Sequence, residues 1–347
     1  MSARAAVKIA VLGGGNGISV VLDGLARRAR SQPRLDITAI VATADDGGSS
    51  GRIRSQRGGL PPGDLRRCLL ALSPFADESM ATVFAHRYDG DGELGGHALG
   101  NLILTALAEQ YGSYDEAVAI AARMLGACGQ VRPVSLCNVS LEGTTLGGDT
   151  LRGESEIGKA PVAMQKVRLS PPDAEPAPGV LGAIEHADLV VVGPGSLFTS
   201  LMPVLLVPGV ADAIRRCRGE RVMVANLMTQ PGETVGMSLE QHLDAVERHA
   251  GASLVRHVLI NDHALESERL QPYVQQGSEP VTWDSIADRS EILVAAPIAT
   301  IAGKIRHDPD RLVPALLAVL EHADRTPSRS GDTVTDANTV REEIRRP

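Results

Sequence analysis

Short apolar runs recur along this chain, and most of them empty into glycine, amide or hydroxyl residues: Val7–Leu12, Asp36–Thr43, Ala187–Gly193, Arg221–Asn226, Val255–Asn261 and Ile292–Ala296. Runs of this length without polar alternation read as strands buried on both faces, as in a parallel sheet. Between them apolar residues recur at helical spacing, as at Ile18, Val21, Leu22 and Leu25. Strand and helix in alternation predict an α/β, Rossmann-like fold: a mostly parallel sheet with helices on both faces and a crevice along its carboxyl edge. From 134 to 170 the pattern turns to alternation punctuated by glycine, which predicts a small antiparallel insertion. The expected organisation is one domain over 1–323 and a disordered tail over 324–347, where Ser, Thr and Arg dominate without apolar periodicity.

The residues just past each strand are the candidates for function. Val7–Leu12 stops at Gly13-Gly-Gly-Asn-Gly17, and the helix that follows points free N–H groups above the sheet, so Gly14, Gly15, Asn16 and Gly17 are expected to face an anion. The turn is not a complete dinucleotide fingerprint, because the third glycine position falls on Ile18 or Val20. No Gly-Lys-Ser/Thr follows, which excludes a P-loop. The second run leads into Asp45 and Asp46, placed to hold ribose hydroxyls or a divalent metal, and then into a glycine-rich stretch to Asp64 that reads as a long binding loop. Arg52, Arg54, Arg57, Arg66 and Arg67 make this stretch a cationic island in a chain of net charge -8. That contrast argues for an anionic ligand, with Ser49, Ser50 and Arg52 among its contacts; the alternative is a solvated loop whose arginines pair with neighbouring acids.

Further candidates follow the same logic. His97 and Asn101 interrupt an apolar helix, where a histidine either faces a ligand or is a hydrogen-bonded core residue. Gly193, Gly195 and Ser196 end one strand, and Asn226, Met228, Thr229 and Gln230 end another. Lys304 and Arg306 precede a helix whose start is marked by Asp308 as N-cap and Pro309 in the first turn. An aromatic content of 2% and an acidic balance speak against a nucleic-acid partner. No apolar run approaches the roughly 18 residues of a membrane span, and a cytoplasmic protein is expected. The cysteines, without CxxC spacing, read as reduced core thiols. There is no HExxH, no Ser-His-Asp order and no cysteine beside a base, so binding without turnover is the expectation.

Taken together, Gly13–Gly17, Ala44–Arg52, Gly100–Leu102, Gly193–Ser200, Asn226–Thr234 and Ile305–Asp308 resemble the YvcK-like family of gluconeogenesis factors, over about residues 7 to 320. That family lies within the 2-phospho-L-lactate transferase superfamily. The resemblance implies a Rossmann-like core and binding of UDP-sugars, above all UDP-N-acetylglucosamine, with the arginine at position 306 implicated in the contact. It also implies a link to peptidoglycan precursor supply, cell shape and growth on gluconeogenic carbon, through an enzyme of cell-wall precursor synthesis as partner. Where some relatives carry a phosphorylatable threonine after the aspartate, this chain has Pro309. No cofactor is expected beyond the ligand; Mg²⁺ enters only in the rival reading, a phosphotransferase in which Asp45 and Asp46 hold the metal. A homo-oligomer is compatible with these expectations.

Overall fold

Strand β1 (Val7–Gly13) is buried from Ile9 onward because both its faces are covered. Ile9 and Val11 join one apolar cluster, Ala10 and Leu12 the other. The computed structural model describes residues 6–31, 34–73, 78–160, 164–283, 289 and 291–325. Beside β1 lies β2 (Leu35–Val41), and beyond β2 the edge strand β3 (Gln130–Pro133). A three-stranded antiparallel sheet follows in the chain, built from β4 (Ser140–Thr145), β5 (Thr150–Arg152) and β6 (Met164–Ser170) in the order β5-β4-β6. The main sheet continues with β7 (Leu189–Val192), β8 (Glu220–Val224), β9 (His257–Asn261) and β10 (Ile292–Ala296). Its seven strands run β10-β9-β8-β7-β1-β2-β3, and every pairing is parallel.

One face packs against the helices Gly15–Ser31, Pro62–Ala71, Leu99–Tyr111, Tyr114–Met124 and Pro309–Arg325. The other packs against Leu239–Ala250, the short helices between β6 and β8, and the antiparallel sheet. The fold is therefore the expected α/β arrangement with its small antiparallel insertion. Ser238 and Gln241 cap Leu239–Ala250 reciprocally, as the sequence Ser-Leu-Glu-Gln predicts, and Leu239, Leu243 and Val246 are buried on its inner face. Asp308 accepts the Asp310 N–H at 3.0 Å, capping Pro309–Arg325. The expected tail from 324 lies outside the described residues beyond Arg325.

The expected long loop after Asp46 instead contains a helix, Gly48–Arg57. Ser49, Ser50 and Ile53 form its buried side, so only one of the buried positions is apolar and hydrophobic periodicity has nothing to register. Gly51 is required there, because a Cβ would lie 1.8 Å from the Asp46 carbonyl oxygen. The short strand β3 also went unpredicted. It ends in proline and pairs only with β2, which suits an edge.

Candidate functional site

From β1 the chain crosses to β2 on one side and enters β7 on the other. The loops leaving β1 and β7 diverge at this point, which is where an open α/β sheet forms its crevice. Here the two turns are in backbone contact: a Cβ on Gly17 would lie 2.0 Å from the Pro194 carbonyl oxygen, so only glycine fits. Gly193 has φ +77°, again a glycine position. Asn226, just past β8, fastens the second turn by accepting the Gly195 N–H at 3.2 Å and donating to the Gly195 carbonyl at 2.9 Å. Gln230 Nε2 donates to Ser196 Oγ at 2.9 Å, while the side-chain oxygen Oε1 is buried without a hydrogen-bond partner among the described residues. Thus Gly14, Gly15, Gly17, Gly193, Gly195, Ser196, Asn226 and Gln230 gather at the switch point; Asn16 lies in the first turn of Gly15–Ser31.

The helix start expected to face an anion, at Gly15, carries an internal carboxylate, and so does the turn after β7. The Gly15 N–H donates to Asp64, a buried residue that also pairs with Arg67. Burial pushes the Asp64 carboxyl up against the opposing pull of Arg67. After β7, Glu233 accepts from Phe198 N at 3.0 Å, Thr199 N at 3.3 Å and Thr199 Oγ1 at 2.7 Å, and burial raises its carboxyl too. Neither residue was singled out from sequence, because each arrives from a different segment and no local spacing announces it.

The insertion docks onto the same region. Asp45 Oδ1 accepts the Gly47 N–H at 2.8 Å and Asp46 Oδ1 accepts the Ser155 N–H at 2.8 Å. A Cβ on Gly153, whose φ is +91°, would fall 1.9 Å from Asp46 Oδ2. Glu154 is thereby brought among acids: burial, then the charges of Asp45, Asp64, Glu233 and Asp46, push its carboxyl to about 9, so it is neutral at pH 7. Among the described residues no group of three or more Asp, Glu, His or Cys side chains is arranged to hold a metal ion. Asp45 and Asp46 each commit one carboxylate oxygen, Oδ1, to a backbone N–H, so it is the Oδ2 atoms that would hold a cation in the phosphotransferase reading.

A second polar network surrounds His97, which is 5% exposed. Arg52 Nε donates to His97 Nε2 at 3.1 Å, and a guanidinium has no acceptor, so Nε2 must be unprotonated. The proton sits on Nδ1 and is donated to Ser49 Oγ at 3.1 Å, where Asn101 Nδ2 also donates at 3.0 Å. His97 therefore cannot take a proton from Ser49, and the pair is not a nucleophile and its base. Burial and the charges of Arg52 and Arg87 hold the imidazole below its ordinary range, which keeps it neutral. Ser50 Oγ accepts the Gly63 N–H at 3.1 Å.

The arginines divide into two groups. Arg57 and Arg67 face Glu109 and Asp64. Arg52 also bonds the Gly95 carbonyl, Arg54 bonds Asn138 and the Ala44 and Val139 carbonyls, and Arg66 bonds Asn101 and the Phe84 carbonyl. These three spend their hydrogen bonds on neutral acceptors and leave their charge undiminished by direct pairing. Arg66 is 7% exposed, and burial with Arg67 and Arg87 nearby lowers its guanidinium to about 10.

Thr229 is 3% exposed and structural: its N–H and Oγ1 bind the Glu279 backbone, and Met228 bridges Pro280. Lys304 and Arg306 lie exposed on the loop before Pro309–Arg325. The Thr300 N–H bonds the Arg306 carbonyl, and His307 bonds the Ala225 carbonyl through Nε2 at 3.0 Å, which ties this loop to the carboxyl end of β8. Asp308 and Asp310, the nearest acids in sequence, pair instead with Arg311 at 3.8 Å and Arg27 at 3.4 Å. Among the described residues the Arg306 guanidinium has no hydrogen bond or ion pair.

Comparison with known proteins matches this architecture. Residues 9–301 match the family model described as 2-phospho-L-lactate transferase CofD. The chain belongs to this family. It is 36% identical over 317 residues to the gluconeogenesis factor of Bacillus subtilis, covering 90% of this chain and 98% of that one. The gluconeogenesis factor of Listeria innocua is 37% identical over 324 residues, covering 92% and 98% of the two chains. A crystal structure of a Bacillus halodurans protein superposes with a TM-score of 0.86 at 35% identity, covering 90% of this chain and 99% of that chain. Among the described residues no single helix is long and apolar enough to cross a membrane.

Proposed function

We propose that the carboxyl-edge crevice binds a UDP-sugar of the UDP-N-acetylglucosamine type, and that this family member is a ligand-sensing regulator. Occupancy would change its affinity for an enzyme of cell-wall precursor synthesis and so tie that supply, and cell shape, to growth on gluconeogenic carbon. The observation that carries the binding claim is Arg306: an exposed guanidinium without a partner among the described residues, on a loop fastened through His307 to the end of β8. Guanidinium groups suit phosphate oxygens because their donors form a fixed fork. The relatives named gluconeogenesis factors support the physiological side. The tautomer of His97 supports binding rather than serine chemistry.

The matched transferase family favours a second reading, a Mg²⁺-dependent phosphotransferase with Asp45 and Asp46 at its centre. A thermal-shift panel of UDP-N-acetylglucosamine, UDP-glucose, NAD and deazaflavin precursors, with Mg²⁺ or EDTA, separates the two. A ligand at 100 times its Kd stabilises by about 2.7 kcal/mol. Stabilisation by the UDP-sugar in EDTA supports the regulator; stabilisation confined to a deazaflavin precursor with Mg²⁺ supports the transferase.

A further inference from the structure

One cleft at the carboxyl edge has a lining unlike the rest of the crevice. It lies at the ends of β8 and β9, has a volume of about 200 Å³, and is walled by Leu227, Leu265, Leu270, Val281 and Trp283, with Asn226 at its rim. Ligand pockets for whole drug-sized molecules run to roughly 300–1,000 Å³. A cleft of this size takes one ring and leaves the remainder of a larger ligand outside. Its walls are held from two sides. Val281 N bonds the Leu227 carbonyl, and Ser278 Oγ and the Glu279 backbone bond Thr229, so the segment carrying Trp283 is zipped onto the strand end that carries Asn226.

Asn226 also joins this cleft to the switch point, because its amide is doubly bonded to the Gly195 backbone. Both ends of that amide are committed, so it is a partition between two compartments rather than a free reader of ligand edges. On one side lie glycine turns, hydroxyl groups and charge; on the other lie aliphatic side chains and an indole, together with His263 and with Asn261, whose amide is spent on the His263 carbonyl and the Ala299 N–H. The chain holds one tryptophan in all, and it stands here. Flat apolar walls with an aromatic face suit a planar heterocycle, which gains by stacking on an indole and by leaving water. A sugar, polar around its whole rim, would lose hydrogen bonds to water in the same place.

We infer that this cleft seats the base of the bound nucleotide against Trp283, with the diphosphate leading back past Asn226 towards the switch point. The inference rests on the nucleotide-sugar reading above and assigns which end of that ligand lies where.

Because the chain has a single tryptophan, its emission reports on this cleft alone. The test titrates the whole protein with UDP-N-acetylglucosamine, UDP, N-acetylglucosamine 1-phosphate, GDP and NAD, following tryptophan emission and calorimetric heat together. UDP and the UDP-sugar should change the emission saturably, with the midpoint that calorimetry gives, while N-acetylglucosamine 1-phosphate leaves it unchanged. Base stacking on an aromatic side chain predicts that Trp283→Ala weakens UDP binding roughly 5- to 150-fold, whereas Trp283→Phe, which keeps an aromatic wall, stays near wild type. Heat from UDP with no change in emission, or full affinity in Trp283→Ala, overturns the base assignment and leaves the UDP-sugar reading standing. An emission change with GDP or NAD while UDP is silent supports the cleft as a base site and overturns the uridine reading. Heat from none of the nucleotides overturns both.

Discussion

Replacing Glu154 with glutamine should make the protein more stable at neutral pH. In the native state burial and four neighbouring acids hold this carboxyl at about 9, against an ordinary value of 4.5. Between those values the native state keeps a proton that the unfolded chain gives up, so stability falls as pH rises through the window and is unaffected below it. At pH 7 the group lies 2.5 units above its ordinary value, since 7 minus 4.5 is 2.5, and at about 1.36 kcal/mol per unit the ceiling is about 3.4 kcal/mol. Glu154 keeps part of its surface in water, which screens the neighbouring charges and brings the expected gain to roughly 1–3 kcal/mol. Glutamine has the shape of the neutral acid and no proton to take up. Urea unfolding of wild type and Glu154→Gln at about pH 5, 7 and 8.5 measures the difference. It should be under about 1 kcal/mol at the lowest pH and grow steadily. A variant of equal stability at all three, or one that loses stability at the highest, would refute the placement of Glu154 among ionised acids.

Asn226→Ala removes two hydrogen bonds to Gly195. It should lower stability by roughly 1–3 kcal/mol and weaken UDP-N-acetylglucosamine binding, read by urea unfolding and calorimetry on the same preparation. Arg306→Ala should weaken binding by roughly 10- to 150-fold, the value of a charge-assisted contact, and leave the melting temperature alone because the side chain has no partner among the described residues; reversal to Glu should cost more. Burial holds His307 at about 4 against an ordinary 6.5, so between those values the unfolded chain binds the extra proton. Stability should therefore fall as pH drops through that window, by at most about 3.4 kcal/mol, and His307→Gln should flatten the pH profile of the melting temperature.

The strands were legible because a run buried on both faces, such as Val7–Leu12, has no polar position to blur it. The helix Gly48–Arg57 was not, because serines satisfied by His97, Asn101 and Gly63 occupy positions where an apolar residue would have marked its inner side. The glycine turns announced the switch point, and the structure brings Gly13–Gly17 and Gly193–Ser196 into contact. What fills the space above them was illegible. Asp64, Glu233 and Glu154 come from three separate segments, and only the folded chain juxtaposes them with Asp45. His97 was ambiguous for a related reason: its role depends on the donor at its other nitrogen, and Arg52 lies 45 residues away. The same holds for Trp283, whose place beside Asn226 follows from backbone pairing between 227–229 and 279–281.

The claim that the crevice binds a UDP-sugar without metal is tested most directly by calorimetric titration of UDP-N-acetylglucosamine into the wild-type chain in EDTA and again in Mg²⁺. The account predicts saturable binding at one site per chain, with the same affinity in both. Absence of saturable heat in a protein whose cooperative melting shows it to be folded, or heat that appears only with Mg²⁺, would contradict it.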